Sequence, residues 1–177
     1  MIRIVIAEDQ ELMLGTIGSL LNLEEDMEVV GLASNGEEAL ALVHRLQPDV
    51  CIMDLEMPKK SGLEAAESLK SFECNVMILT TFAKAGNFER IVAADIRGYL
   101  LKDSPSEELA CSIRSIMAGI RIYSPDLMDE DTSEKLEVNR LVRNQNPGRT
   151  SIEQRNTSKT VKSYFLTLMD KMKLPTG

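Results

Sequence analysis

Five side chains of this 177-residue sequence have the right types to handle a phosphoryl group, and each closes a short apolar run. IVIAED ends on Glu8 and Asp9, VCIMD on Asp54, MILTT on Thr80, and GYLLK on Lys102. Three carboxylates sharing one site repel each other, and a divalent cation relieves that repulsion. Hard oxygen donors with positions left for water and phosphoryl oxygens favour Mg2+. Asp54 is then placed as a nucleophile that forms an acyl phosphate. Lys102 can pair with one phosphoryl oxygen while the Thr80 hydroxyl donates to another. Catalysis of this kind is positioning and charge neutralisation. After Asp54 come Leu55-Glu56-Met57-Pro58 and then Gly62: the proline fixes the exit of the loop, and a backbone carbonyl near Glu56 is available to complete a cation shell. Any one of these acids alone would most often be a cap or a solvated charge. The coincidence of phosphoryl-handling side chains at four strand ends carries the reading.

For these side chains to meet, the runs that carry them must point the same way. In a parallel sheet the ends of successive strands lie along one edge, and open α/β folds bind ligands there. Strand-like runs begin near Ile2, Glu28, Val50, Val76 and Tyr99, at intervals of 26, 22, 26 and 23 residues. Each interval suits one strand and one crossover helix. Helices are predicted over 11–23, 37–46, 62–72, 87–94 and 105–117, with apolar stripes such as Met13, Ile17, Leu20 and Leu21 in the first and Leu109, Ile113 and Ile116 in the last. Leu14 and Gly18 fall off the core stripe of the first helix, as Met117 does in the last, and are candidates for a face that pairs two molecules. Asn35 and Ser61 are placed as N-caps, and Ser104-Pro105 followed by Glu107 and Glu108 is a helix start.

Hydrophobic residues make up 44% of the chain, enough for one substantial core and a small second module. No apolar run approaches the roughly 18 residues of a membrane span, and the N-terminus turns acidic too soon for a signal peptide, so a cytoplasmic protein without membrane insertion is expected. Cys51, Cys74 and Cys111 are odd in number and widely spaced, as suits reduced buried thiols. His44, the only histidine, reads as a helix-surface residue. The net charge of −8 hides a split: residues 1–137 hold 12 basic against 26 acidic side chains, and residues 138–177 hold 8 against 2. An acidic body with a basic tail points to an anionic partner such as DNA for the tail, or to a tail folded back on the body.

Residues 1 to about 125 resemble the receiver domain of bacterial response regulators, in the NarL/FixJ branch, through IAEDQ, PDVCIMDLEMPKKSGLEA, ILTTF and GYLLKDSPSEELACSIRSI. The resemblance implies a flavodoxin-like (βα)5 fold with a five-stranded parallel sheet in the order 2-1-3-4-5, followed by a small α-helical segment. It implies Asp54 as phosphoacceptor, and Glu8, Asp9, Asp54 and the Glu56 carbonyl around Mg2+. Thr80 and Lys102 would be switch residues, with Tyr99 as the switch aromatic. A sensor histidine kinase would supply the phosphoryl group, and phosphorylation would pair two copies into a homodimer. The chain would not be an enzyme beyond its own aspartyl phosphorylation and dephosphorylation. One departure stands out: the family commonly has Ala-Gly after the fourth helix, where this chain reads Ala94-Asp95-Ile96. Aspartate tolerates the left-handed conformation at some cost, so slight destabilisation is expected.

Residues 157–175 resemble the recognition helix of the helix-turn-helix domain that follows the receiver in this branch. Thr157 is placed as N-cap, with Val161, Tyr164, Leu168, Met169 and Met172 as the apolar stripe. Lys159, Thr160, Lys162 and Ser163 are the candidate DNA contacts near its N-terminus. The rest of the module fits less well: Asn139 interrupts its first helix, Ile152 is the one large apolar residue between that helix and the recognition helix, and the family's fourth helix would begin about where Gly177 ends the sequence. Partial order is expected there. The domain reading is a receiver over 1–123, a linker over 124–136, and a shortened helix-turn-helix segment over 137–177. The function expected is a two-component response regulator that controls transcription by binding promoter DNA. The alternative is a phosphorelay or protein-interaction module whose tail does not bind DNA. An aspartyl-phosphate hydrolase ranks last, since no further acid or base is placed to turn the intermediate over.

Overall fold

Alternation along the first strand explains the layering of the molecule. Ile4 and Ile6 pack into one apolar cluster and Val5 and Ala7 into another, and all four are at most 1% exposed. A strand buried on both faces needs helices on both. The computed structural model describes residues 1–81, 87–104, 106–124 and 127. Strands and helices alternate in them as β1 (Ile2–Ala7), α1 (Glu11–Leu21), β2 (Met27–Ala33), α2 (Gly36–Leu46), β3 (Val50–Met53), α3 (Gly62–Leu69), β4 (Asn75–Thr80), α4 (Phe88–Ala93), β5 (Gly98–Leu101), α5 (Ser106–Met117) and β6 (Ile122–Tyr123). Residues of α1 and α5 lie in one cluster and residues of α2, α3 and α4 in the other.

The sheet is parallel throughout, in the order β2-β1-β3-β4-β5-β6. The first five strands follow the expected order, but the sheet has six strands and not five. The stretch after α5 lies on the edge of β5: Ile122 N donates to Arg97 O at 2.9 Å and Ser124 N to Tyr99 O at 2.8 Å. The open edge of β5 offers unpaired backbone groups, and two residues satisfy them without leaving a periodic signature in the sequence.

Local chemistry sets the helix starts. The Asn35 side chain accepts from Glu38 N at 3.1 Å, and Ser61 and Glu64 form a reciprocal capping box at the start of α3. Helices α1 and α3 stop two and three residues before their predicted ends. Gly18 corrects the surface expectation: it is buried and faces the sheet, where a Cβ would make ordinary contact with Leu32 Cδ2 at 3.7 Å and Ile6 Cδ1 at 3.9 Å. Leu14 is half-buried against the same cluster, while Met117 is exposed. The cysteines also differ from expectation, since only Cys51 is fully buried; Cys74 is half-buried and Cys111 exposed. Burial pushes the Cys74 thiol up to about 12. His44 is on the exposed face of α2, edge-on to Phe72 with ring centroids 4.3 Å apart. No helix among the described residues is long and apolar enough to cross a membrane. The expectations for Pro105, for most of the linker and for the whole segment 137–177, including Lys159, Thr160, Lys162 and Ser163, lie outside the described residues.

Candidate functional site

Strands β1 and β3 are neighbours, and the pairing of Ala7 with Met53 sets Glu8 and Asp54 side by side, each one residue past its strand. The backbone holds them there: Glu8 N donates to Ala33 O at 3.0 Å and Asp54 N to Ala7 O at 2.9 Å. Lys102 follows β5 in the same way, its N donating to Thr80 O at 2.7 Å. Its ammonium nitrogen lies 2.6 Å from Glu8 Oε2 and 3.0 Å from Asp54 Oδ2. The three side chains are only 2–9% exposed. Charge-assisted bonds at such distances, shielded from water, are far stronger than surface pairs.

Burial raises the Glu8 pKa above its ordinary value; the hydrogen bond and charge of Lys102 oppose the rise, and the charge of Asp54 adds to it. Gln10 N also donates to Glu8 Oε1 at 3.2 Å. Asp9 is exposed beside this pair, and one carboxylate oxygen from each of Glu8, Asp9 and Asp54 lies within 4.8 Å of the others. Three carboxylates face one ammonium here, so negative charge is left in excess. An all-oxygen donor set with one exposed member fits a hard divalent cation that keeps part of its water.

Thr80 is the last residue of β4, buried at the same edge between β3 and β5. Tyr99 lies below the edge, fully buried in the cluster that contains Ile78, Ile91 and Ile96. Glu56 is exposed, two residues beyond Asp54. The structure thus puts Lys102 in contact with Glu8 and Asp54, gathers Asp9 beside them, and sets Thr80 on the same edge, with Tyr99 deeper in the sheet opposite Ile78.

Two glycines not singled out for this purpose shape the loop after Asp54. Gly62 N donates to Leu55 O at 3.1 Å, and a Cβ on Gly62 would come within 2.0 Å of Asp54 O. Gly36 N donates to Lys60 O at 3.0 Å, where a Cβ would come within 2.4 Å of that oxygen. The loop between β3 and α3 is therefore gripped near both ends by backbone that approaches too closely for any side chain. Each glycine directly follows an N-cap residue, Asn35 or Ser61, and that placement is the only trace the grip leaves in the sequence.

Residues 4–114 match the family described as "Response regulator receiver domain". The chain is 52% identical over 182 residues to the transcriptional regulatory protein DesR of Bacillus subtilis (strain 168), a match that covers 98% of this chain and 92% of that one. Among solved structures it is similar to a DNA-binding response regulator of the LuxR family from Staphylococcus aureus, at 35% identity and a TM-score of 0.63, over 66% of this chain and 98% of that one. It is also similar to a two-component response regulator of the LuxR family from an Aurantimonas species, at 26% identity and a TM-score of 0.68, over 79% of this chain and 98% of that one.

Proposed function

This chain belongs to the response regulator family, of the transcriptional-regulator type, and from that membership we propose that Asp54 accepts a phosphoryl group from a sensor histidine kinase. The observation that carries the proposal is the position of Lys102, shared between buried Glu8 and Asp54 within a cluster of three carboxylates. A carboxylate oxygen of Asp54 attacks phosphorus, the phosphorus–nitrogen bond of the phosphohistidine breaks, and its electron pair returns to the imidazole. Glu8, Asp9, Asp54 and the Glu56 carbonyl are the groups that would hold Mg2+. When bound, the cation supplies positive charge to the phosphoryl oxygens.

Phosphorylation adds about −1.5 to −2 charges at Asp54. Lys102 can then leave Glu8 to pair with a phosphoryl oxygen, and the Thr80 hydroxyl donates to another. Tyr99, fully buried and paired in register with Ile78 of the strand that ends in Thr80, is the aromatic that reports the change. The altered surface pairs two copies into a homodimer, and the basic segment 138–177 contacts promoter DNA through Lys159, Thr160, Lys162 and Ser163. Lysines there bind phosphate without reading sequence, so binding falls steeply with salt.

Incubation with radiolabelled acetyl phosphate and Mg2+ should label the chain, and Asp54→Asn should abolish the label. Persistent labelling of that variant would overturn the site. For the output, phosphorylated protein should retard promoter DNA and Lys162→Ala should weaken the retardation. A phosphorylated dimer that retards no DNA at low salt would establish the interaction-module reading instead.

A further inference from the structure

The turn between α4 and β5 carries a residue whose backbone is poorly suited to it. Asp95 adopts φ 57°, where glycine would make the same turn without a side-chain clash. What the aspartate adds is a carboxylate gripped from two sides. Arg97 donates to Oδ2 at 2.9 Å and 3.2 Å, and Arg121 donates to Oδ1. Burial opposes charge on Asp95, but the hydrogen bonds from Arg121 and Arg97 outweigh it and hold the carboxyl below its ordinary range.

Arg121 directly precedes β6. Its other terminal nitrogen donates to Ile96 O and to the Tyr123 hydroxyl oxygen, both at 3.1 Å, and the Tyr123 hydroxyl donates to Ile96 O at 2.8 Å. The Tyr123 ring meets Phe88, the first residue of α4, edge-on with centroids 6.1 Å apart. In the sheet Tyr123 is the register partner of Tyr99. Strand β6 is only two residues long, too short to hold itself on the sheet by backbone pairing alone. The side-chain contacts to the turn and to α4 make up the difference.

We propose that Asp95, Arg121 and Tyr123 form a latch that ties the strand by which the chain leaves the receiver body to the α4–β5 turn and to α4, and so passes a change in α4 to the segment that follows. This rests on the reading of Asp54 as a phosphoacceptor, which supplies the change. The latch is built to open: Asp95, Arg97 and Arg121 are 32–40% exposed, so the contacts are screened by water and modest displacement breaks them.

Asp95→Gly in the full chain removes the turn's strain and the carboxylate together, which separates a latch from a mere turn residue. The latch predicts that amide hydrogen exchange at Ile122 and Ser124 accelerates about tenfold while Ile6 and Ile52 change less than about twofold, the scale of a charge-assisted bond at a part-exposed site. A turn residue predicts a more stable fold with β6 exchange unchanged, and that result overturns the latch. Arg121→Ala leaves the turn's own backbone untouched and should reproduce the local acceleration; wild-type exchange in it likewise overturns the latch. With acetyl phosphate and Mg2+, exchange at Ile122 and Ser124 should respond in the wild type and not in either variant, although all three label equally at Asp54. A response retained in Arg121→Ala, or absent from labelled wild type, overturns the relay. Failure of the wild type to label overturns the phosphoacceptor reading, and the exchange rates of the unphosphorylated variants still decide the latch.

Discussion

Strand β5 carries an ion cluster at each end, and the two behave differently for one physical reason. At its carboxyl end Lys102 bridges Glu8 and Asp54, with side chains 2–9% exposed. At its amino end Asp95 is held by Arg97 and Arg121, with side chains 32–40% exposed. Both sets are acids paired with bases at hydrogen-bond distance. In the first, desolvation makes every unpaired charge expensive, so rearrangement requires a replacement charge such as a cation or a phosphoryl group. In the second, water can stand in for either partner, so the contacts are individually weak and easily exchanged. Burial, more than the pairing itself, separates the two clusters.

The largest effect should come from Lys102→Met, which leaves Glu8 and Asp54 buried without their shared partner. Urea unfolding without Mg2+ should show a loss of about 3–5 kcal/mol, and added Mg2+ should recover part of it. A loss no larger than that of a surface pair would remove the contrast between the two ends of β5. Next in size, Gly62→Ala forces a methyl group against Asp54 O, so a loss of about 1–3 kcal/mol is expected together with slower labelling of Asp54. Labelling at the wild-type rate would mean that the loop's grip does not position Asp54.

The smallest effect tests the exposed class with a third cluster. Arg114 on α5 donates to Asp26 Oδ1 and Oδ2 at 2.6 and 2.8 Å and to Glu24 Oε2 at 2.6 Å, with side chains 39–47% exposed. Its hydrogen bonds hold the Asp26 carboxyl below its ordinary value of 3.8. A depressed carboxylate stabilises the fold fully above its unfolded pKa and loses that contribution as pH falls through the lower folded value. Arg114→Ala should therefore lower the Tm at pH 7 by no more than about 3 °C, and the difference from wild type should close below about pH 3.8. A difference that persists under strong acid would show that Arg114 acts through packing and not charge.

The site was legible in the sequence because its information is local. A strand that ends in a polar residue declares its chemistry within a few residues, and four such endings, two of them acidic, one a threonine and one a lysine, make sense along one edge. The caps Asn35 and Ser61 were legible for the same reason, as were the core positions Leu109, Ile113 and Ile116. Gly18 was misplaced because a residue without a side chain adds nothing to a helical apolar stripe, although its position faces Leu32 and Ile6. Strand β6 was missed because two residues carry no period, and its pairing depends on an edge formed far away in the chain.

By itself, then, the sequence determined which groups stand at the strand ends, since residue type and period are properties of short segments. The resemblance to the family, not the sequence alone, marked Asp95 as a departure from glycine. Only the tertiary structure decided that Lys102 sits between Glu8 and Asp54, that Gly62 presses on the Asp54 carbonyl, and that Arg121 reaches back to Asp95. Each of those contacts joins residues whose neighbourhood exists only after the sheet has assembled, when burial sets the strength of every charge within it.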